Sequence, residues 1–127
     1  MQYKVLVVDD SRLARMVIAS AFRRLRPEWE LIEATGAEEA LQAIATQPVD
    51  MALVDFNMPG TDGLDLVGRI REIRPAMPVA VVSANLQDEI IGRARELRAA
   101  FVAKPVTDEA LAAFCSGAAL RLQKAAQ

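Results

Sequence analysis

The chain has 127 residues, of which 53% are hydrophobic, 25% charged and 5% aromatic: one domain's worth of sequence with an ordinary globular composition, which excludes disordered and collagen-like classes. Lys and Arg number 15 against 17 Asp and Glu, a formal charge of −2, so no global basic field exists to hold nucleic acid or anionic lipid. With no histidine and one cysteine, zinc sites of the Cys/His type, Ser-His-Asp and Cys-His catalysis and an internal disulfide are excluded as well.

Residues 4–8 (KVLVV) form a short apolar, β-branched run that suits a strand buried on both faces. From Ser11 the pattern turns helical, with Leu13, Met16, Val17 and Ala21 on one face and Pro27 as the stop. Residues 29–34 (WELIEA) predict a second strand. After Gly36, a helical face of Ala37, Ala40, Leu41, Ile44 and Ala45 runs on until it stops before Pro48. Residues 49–54 (VDMALV) predict a third strand, followed by a loop dense in turn residues, Asp55-Phe56-Asn57-Met58-Pro59-Gly60-Thr61-Asp62-Gly63. A helix over about 63–73, a strand over 78–83, a helix over about 86–97 and a strand over 100–103 come next. A last helix carries Leu111, Phe114, Cys115, Ala118 and Leu122 in one stripe. No run approaches the roughly 18 apolar residues of a membrane span. The opening Met1-Gln2-Tyr3-Lys4 leads into an apolar run that two aspartates end, unlike a secretory signal, so a cytoplasmic protein without membrane insertion is expected.

Strict alternation of strands and helices implies an α/β fold, a doubly wound parallel sheet of five strands with helices on both faces. Ligands of such sheets bind beyond the carboxyl ends of the strands, where strand order reverses. In this sequence those ends are Asp9-Asp10, Asp55, Ser83-Ala84 and Lys104-Pro105. Three carboxylates brought close repel one another and call for a cation. Mg²⁺, or Mn²⁺ in its place, suits them, because hard divalent ions take oxygen ligands and are commonly shared with a phosphate. Lys104 offers a compact positive charge and Ser83 a hydroxyl. Aspartate is an established covalent nucleophile for phosphate, so the set points to an Mg²⁺-dependent aspartyl-phosphate site.

Taken singly, each piece has a plainer reading. Asp9-Asp10-Ser11 before a helix is an N-cap cluster, with Ser11 the cap itself. Asp55 can open a turn before Pro59, Ser83 can merely satisfy backbone at a strand end, and a lysine such as Lys104 is commonly solvated. Asp62-Gly63 reads as turn and cap without chemistry. Cys115 reads as core, Trp29 as packing, and the arginines 12, 15, 23, 24, 26, 93, 95 and 98 as solvated faces.

The pieces Val7-Val8-Asp9-Asp10-Ser11, Asp55-Phe56-Asn57-Met58-Pro59-Gly60-Thr61-Asp62-Gly63, Val82-Ser83-Ala84 and Phe101-Val102-Ala103-Lys104-Pro105, in this order, also carry a resemblance. Along nearly its whole length the chain resembles a bacterial response-regulator receiver domain, with the chemotaxis-type single-domain regulators as the model. The resemblance implies a flavodoxin-like (βα)5 fold with strand order 2-1-3-4-5 and a single receiver domain over residues 1–127. It implies that Asp55 accepts a phosphoryl group from a histidine kinase or phosphotransfer protein, that Asp10 ligates Mg²⁺ directly, that Asp9 acts largely through water, and that Asn57 contributes its backbone carbonyl. By the same resemblance Ser83 bonds the phosphoryl group, Lys104 pairs with it, Lys104–Pro105 is a cis peptide, and Phe101 is an aromatic switch that follows Ser83. The face of the fourth helix, fifth strand and fifth helix then changes its affinity for a downstream protein. Such a domain is a monomer or weak dimer that catalyses only its own phosphorylation and dephosphorylation. The sequence ends within or just after its fifth helix, so a stand-alone regulator, or a receiver excised from a longer one, is expected.

The sequence departs from the family pattern where the fourth helix ends. Glu96-Leu97-Arg98-Ala99-Ala100 lacks the usual glycine, and leucine or arginine resists the left-handed conformation of a glycine C-cap, so a different helix end or a remodelled loop is expected. Two other functions compete. A haloacid-dehalogenase-like phosphatase also forms an aspartyl phosphate, but it requires Asp-x-Asp on the first strand, which Asp9-Asp10-Ser11-Arg12 does not supply, and a cap domain. A phosphate-independent interaction domain is disfavoured by the complete acidic set with Ser83 and Lys104. Neither GxxxxGK[S/T] nor GxGxxG occurs.

Overall fold

The β-branched runs become the middle of a sheet because both of their faces are covered. In the computed structural model, which describes residues 2–126, the elements are β1 (Lys4–Val8), α1 (Arg12–Leu25), β2 (Glu30–Ala34), α2 (Ala37–Thr46), β3 (Met51–Asp55), α3 (Gly63–Ile73), β4 (Val79–Ser83), α4 (Asp88–Glu96), β5 (Ala100–Ala103) and α5 (Asp108–Ala125). All five strands are parallel and lie in the order β2-β1-β3-β4-β5, the doubly wound arrangement expected. β3 and β4 are buried along their whole length, whereas β2 is an edge strand with Glu30 and Glu33 turned outward.

Strand alternation divides the core in two. Leu6, Val8, Ala52, Val54, Val79 and Val81 pack against α2, α3 and α4 through Ala40, Ile44, Leu64, Leu66, Val67, Ile70 and Ile90. Val5, Val7, Met51, Leu53, Ala80, Val82 and Val102 pack on the other face against α1 and α5 through Ile18, Phe22, Leu111, Cys115 and Ala118. Each fully buried aliphatic side chain contributes roughly 1.5–3 kcal/mol, so these two layers are what hold the strand ends in place. Trp29 lies edge-on to Tyr3, ring centroids 5.3 Å apart, and closes the second layer. Cys115 is fully buried, and burial pushes its thiol up to about 11.

Three helices, α1, α3 and α5, start on a side-chain cap. Ser11 accepts from the Ala14 amide, Asp62 from Asp65 and Thr107 from Ala110. Three expectations need correction. Leu13, Met16 and Val17 do not face the core; they are 71%, 54% and 53% exposed, and α1 instead buries Ile18, Ala21 and Phe22. On α2, Ala45 is exposed and Ala43 takes its place inside. The stretch after Asp55 is not merely a loop: Asn57–Met58 pairs antiparallel with Thr61–Asp62 around a Pro59-Gly60 turn, in which Gly60 takes the positive φ of 81° that a type II turn requires.

The end of α4 overturns the expectation of a different helix end. Arg98 itself adopts the left-handed conformation, φ 57°. Its amide donates to the Arg95 carbonyl and that of Ala99 to the Ala94 carbonyl, both at 2.9 Å, which is the Schellman pattern normally built on glycine. The guanidinium of Arg71, reaching over from α3, donates to two carbonyls at this helix end, Nε to Leu97 at 2.8 Å and Nη2 to Arg98 at 3.0 Å, while Nη1 donates to Met77 ahead of β4.

Candidate functional site

The sheet register dictates where the acids meet. Val8 is the partner of Val54, so one further step sets Asp9, just past β1, beside Asp55, the last residue of β3. Asp55 is in turn the partner of Val82, and Ser83 that of Ala103, which places Ser83 and Lys104 at the neighbouring strand ends. α1 leaves β1 toward one face and α3 leaves β3 toward the other, and the crevice between them opens above these residues.

Asp9 and Asp55 are almost fully buried, 3% and 4% exposed, and Asp10 is exposed at the rim. One carboxylate oxygen from each of the three lies within 4.8 Å of the others, a separation that one cation can bridge. Lys104 Nζ donates to Asp55 Oδ1 at 2.7 Å and stands 4.0 Å from Asp9 Oδ2. Asp9 Oδ1 also accepts the Ser11 amide at 2.9 Å. Burial raises the Asp9 pKa above its ordinary value, and the negative charges of Asp55 and Asp10 push the same way against the Ser11 amide and Lys104. Three carboxylates against one ammonium leave the cluster short of positive charge, which is the condition a divalent cation relieves.

The Ser83 hydroxyl is buried and accepts the Asn85 amide at 2.9 Å, so it is engaged with its own loop. The Lys104 amide donates to the Ser83 carbonyl at 3.0 Å, which ties the two strand ends together. Asn57 opens the short hairpin two residues beyond Asp55, its side chain exposed. Phe101 is half-buried on β5 and packs against the layer beneath α4. The Lys104–Pro105 peptide is cis.

Two features of the site were not anticipated. Arg15, grouped by sequence with the solvated arginines, has a side chain only 12% exposed, and its Nη1 donates to the Asp9 carbonyl at 2.6 Å. The available signal was its position, one helical turn past the Ser11 cap and therefore facing back toward β1. Gly63, which the sequence offers only as part of a turn and cap, packs against the end of β3: a Cβ there would collide with the Asp55 carbonyl oxygen and come within 2.8 Å of the Phe56 Cα.

The response regulator receiver domain family matches residues 5–115. The chain is 34% identical over 108 residues to the sensory/regulatory protein RpfC of Xanthomonas campestris, covering 81% of this chain and 15% of that protein. It is 32% identical over 107 residues to the sensory transduction protein LytT of Bacillus subtilis, covering 84% and 44%, and 33% identical over 112 residues to the response regulator protein FleR of Pseudomonas aeruginosa, covering 87% and 23%. The chain thus spans less than half the length of these relatives. In fold it is similar to the chemotaxis protein CheY4 of Vibrio cholerae, with a TM-score of 0.84 at 23% identity over 93% of this chain and 99% of that one. A two-component response regulator of Clostridium difficile gives 0.86 at 20% identity over 95% and 98%. With a family model running from Val5 to Cys115 and relatives above 30% identity over more than four-fifths of its length, this chain belongs to the response regulator receiver domain family of two-component systems.

Proposed function

We propose that residues 1–127 act as one phosphoacceptor module in which Asp55 is the residue phosphorylated. The observation that carries this reading is the position of the Asp55 carboxylate: buried at the end of β3, 2.7 Å from the Lys104 ammonium and within bridging distance of Asp9 and Asp10. A carboxylate oxygen of Asp55 attacks the phosphorus of a phosphohistidine on a kinase or phosphotransfer protein. The phosphorus–nitrogen bond breaks, the imidazole leaves with a proton, and an acyl phosphate remains on Asp55. Asp9, Asp10 and Asp55, with the Asn57 carbonyl, are the groups that would hold Mg²⁺ or Mn²⁺, whose positive charge offsets that of the carboxylates and the incoming phosphoryl oxygens. Lys104 gives up part of its pairing with Asp55 to the new phosphoryl oxygens, and Ser83 exchanges the Asn85 amide for them.

The consequence lies at the α4, β5 and α5 face. Once Ser83 turns toward the phosphoryl group, space opens beside Phe101, and the inward-turned ring favours one of two states of that face, to which a downstream protein binds. The domain catalyses only its own phosphorylation and dephosphorylation, is cytoplasmic, works as a monomer or weak dimer, and needs no direct contact with nucleic acid. No described helix is long and apolar enough to cross a membrane. The phosphatase alternative has no comparable support, because Asp10 and Ser11 follow Asp9 where that chemistry needs an intervening residue before its second acid.

Incubation with acetyl phosphate and Mg²⁺, read by intact-protein mass, tests this reading. The expected result is one phosphoryl group on the wild type and none on Asp55→Asn or in excess chelator. Equal labelling of wild type and Asp55→Asn contradicts it.

A further inference from the structure

Asp9 is held at more atoms than a metal ligand needs for burial alone. Its amide donates to the Ala34 carbonyl of β2 at 3.1 Å, and its Oδ1 accepts the Ser11 amide at 2.9 Å. Its carbonyl accepts Arg15 Nη1 at 2.6 Å. The same guanidinium uses Nε to grip Glu33 Oε1 of β2 at 2.9 Å, so Arg15 ties the first turn of α1 to the end of β1 and to the edge strand at once. Asp10 starts from the carbonyl that Arg15 fixes, and the aim of both acids is therefore set from this one peptide.

By charge alone, an arginine here is misplaced. A guanidinium bonded to the backbone of a cation ligand repels the cation. Glu33 answers this, because its carboxylate lies on the guanidinium and offsets the charge while leaving Nη1 free to hold the carbonyl. An arginine neutralised in this way serves the site through its hydrogen-bond geometry, the fork that lysine lacks.

We propose that Arg15, with Glu33 as its counter-charge, is a positioning residue for divalent-cation binding at Asp9 and Asp10. This rests on the reading that the three acids hold such an ion. Outer residues that orient metal ligands typically govern affinity by about 10-fold or more.

The two roles open to Arg15 differ in sign. As a nearby positive charge, its removal tightens cation binding; as a positioning group, its removal weakens it. The test is a Mn²⁺ titration of the full chain, free Mn²⁺ being read by electron paramagnetic resonance, with unfolding midpoints in chelator recorded for every variant. Arg15→Ala is expected to weaken Mn²⁺ binding by about 10-fold, and the loss persists at high salt. Arg15→Lys, which keeps the charge and a donor and perturbs folding least, is expected to fall between Arg15→Ala and wild type. Glu33→Gln, which uncovers the charge but leaves Nη1 in place, is expected to weaken binding by about 2-fold at low salt and to recover as salt screens it. A purely structural role predicts lowered midpoints with an unchanged Mn²⁺ constant, and that result overturns the proposal, as does tighter binding by Arg15→Ala or by Arg15→Lys. Asp10→Asn separates the two readings. If it weakens Mn²⁺ binding and the Arg15 variants do not, the Arg15 assignment fails and the metal site stands. If the wild type binds no Mn²⁺, or Asp10→Asn binds it equally well, both fail.

Discussion

Arg71 Nη2 donates to the carbonyl of Arg98 at 3.0 Å, so a buried arginine on α3 secures the left-handed residue that ends α4. Burial lowers the Arg71 pKa, and the charges of Arg98 and Arg121 lower it further, so the guanidinium is held by carbonyl dipoles in spite of like charges nearby. The negative end of the α4 dipole is one source of compensation. Arg71→Met leaves the carbonyls of Leu97, Arg98 and Met77 without this donor and is expected to cost about 2–4 kcal/mol in urea unfolding. Arg71→Lys recovers less than half of that loss, because one ammonium does not replace a fork that spans two segments. A loss below 0.5 kcal/mol, well under the expected range, shows that water replaces the guanidinium freely.

Arg98→Gly goes the other way. A left-handed side-chain-bearing residue costs roughly 1–2 kcal/mol and glycine does not, although glycine loses more chain entropy on folding. The net expectation is a gain of about 0.5–1 kcal/mol, read from the same urea midpoints. Destabilisation by Arg98→Gly means that the arginine side chain contributes more than its backbone conformation costs.

Two glycines on α3 are expected to respond with opposite signs. Gly63→Ala drives a methyl group into the Asp55 carbonyl oxygen and is expected to cost about 1–3 kcal/mol and to slow phosphorylation by acetyl phosphate. Gly68→Ala meets nothing within 4 Å and is expected to stabilise by about 0.5–1 kcal/mol without altering that rate. Equal effects of the two substitutions contradict the close approach at Gly63.

The raised pKa of Asp9 has a definite pH signature in the metal-free protein. Because the folded value lies above the unfolded one, the contribution of Asp9 to stability is fully present below the ordinary value of 3.8 and is lost as pH rises through the folded pKa. Asp9→Asn is therefore expected to stabilise the metal-free chain near neutral pH and to leave it unchanged below the ordinary aspartate value. Mg²⁺ restores the lost stability to the wild type and does so less for the variant. Thermal melts with Mg²⁺ and with chelator at the two pH values check both statements.

Much of the site was legible in the sequence because short apolar runs end abruptly in Asp9, Asp55 and Lys104, and a parallel sheet must align such ends. The buried face of α1 was less legible. Leu13, Met16, Val17, Ile18, Ala21 and Phe22 cover most of the helix circumference, so periodicity alone did not single out the buried side. Arg15 and Arg71 were obscured for a different reason. Arginine has a stem long enough to bury while its guanidinium travels to a distant carbonyl, and Arg71 sits among Leu64, Val67 and Ile70 on the apolar side of α3. The hairpin after Asp55 turns on the positive φ of Gly60, where a turn-rich composition suggests only a loop. At Arg98, propensity favoured one backbone and the guanidinium of Arg71 held another.

Chemical localisation of the phosphoryl group tests the assignment of Asp55 at the level of the single residue. Borohydride reduces an aspartyl phosphate to homoserine, and peptide mass spectrometry then reports the position. After acetyl phosphate and Mg²⁺, homoserine is expected at position 55 alone, and none when chelator replaces Mg²⁺. Homoserine at position 9, 10 or 62 with Asp55 intact, or the same yield at 55 without a divalent ion, contradicts it.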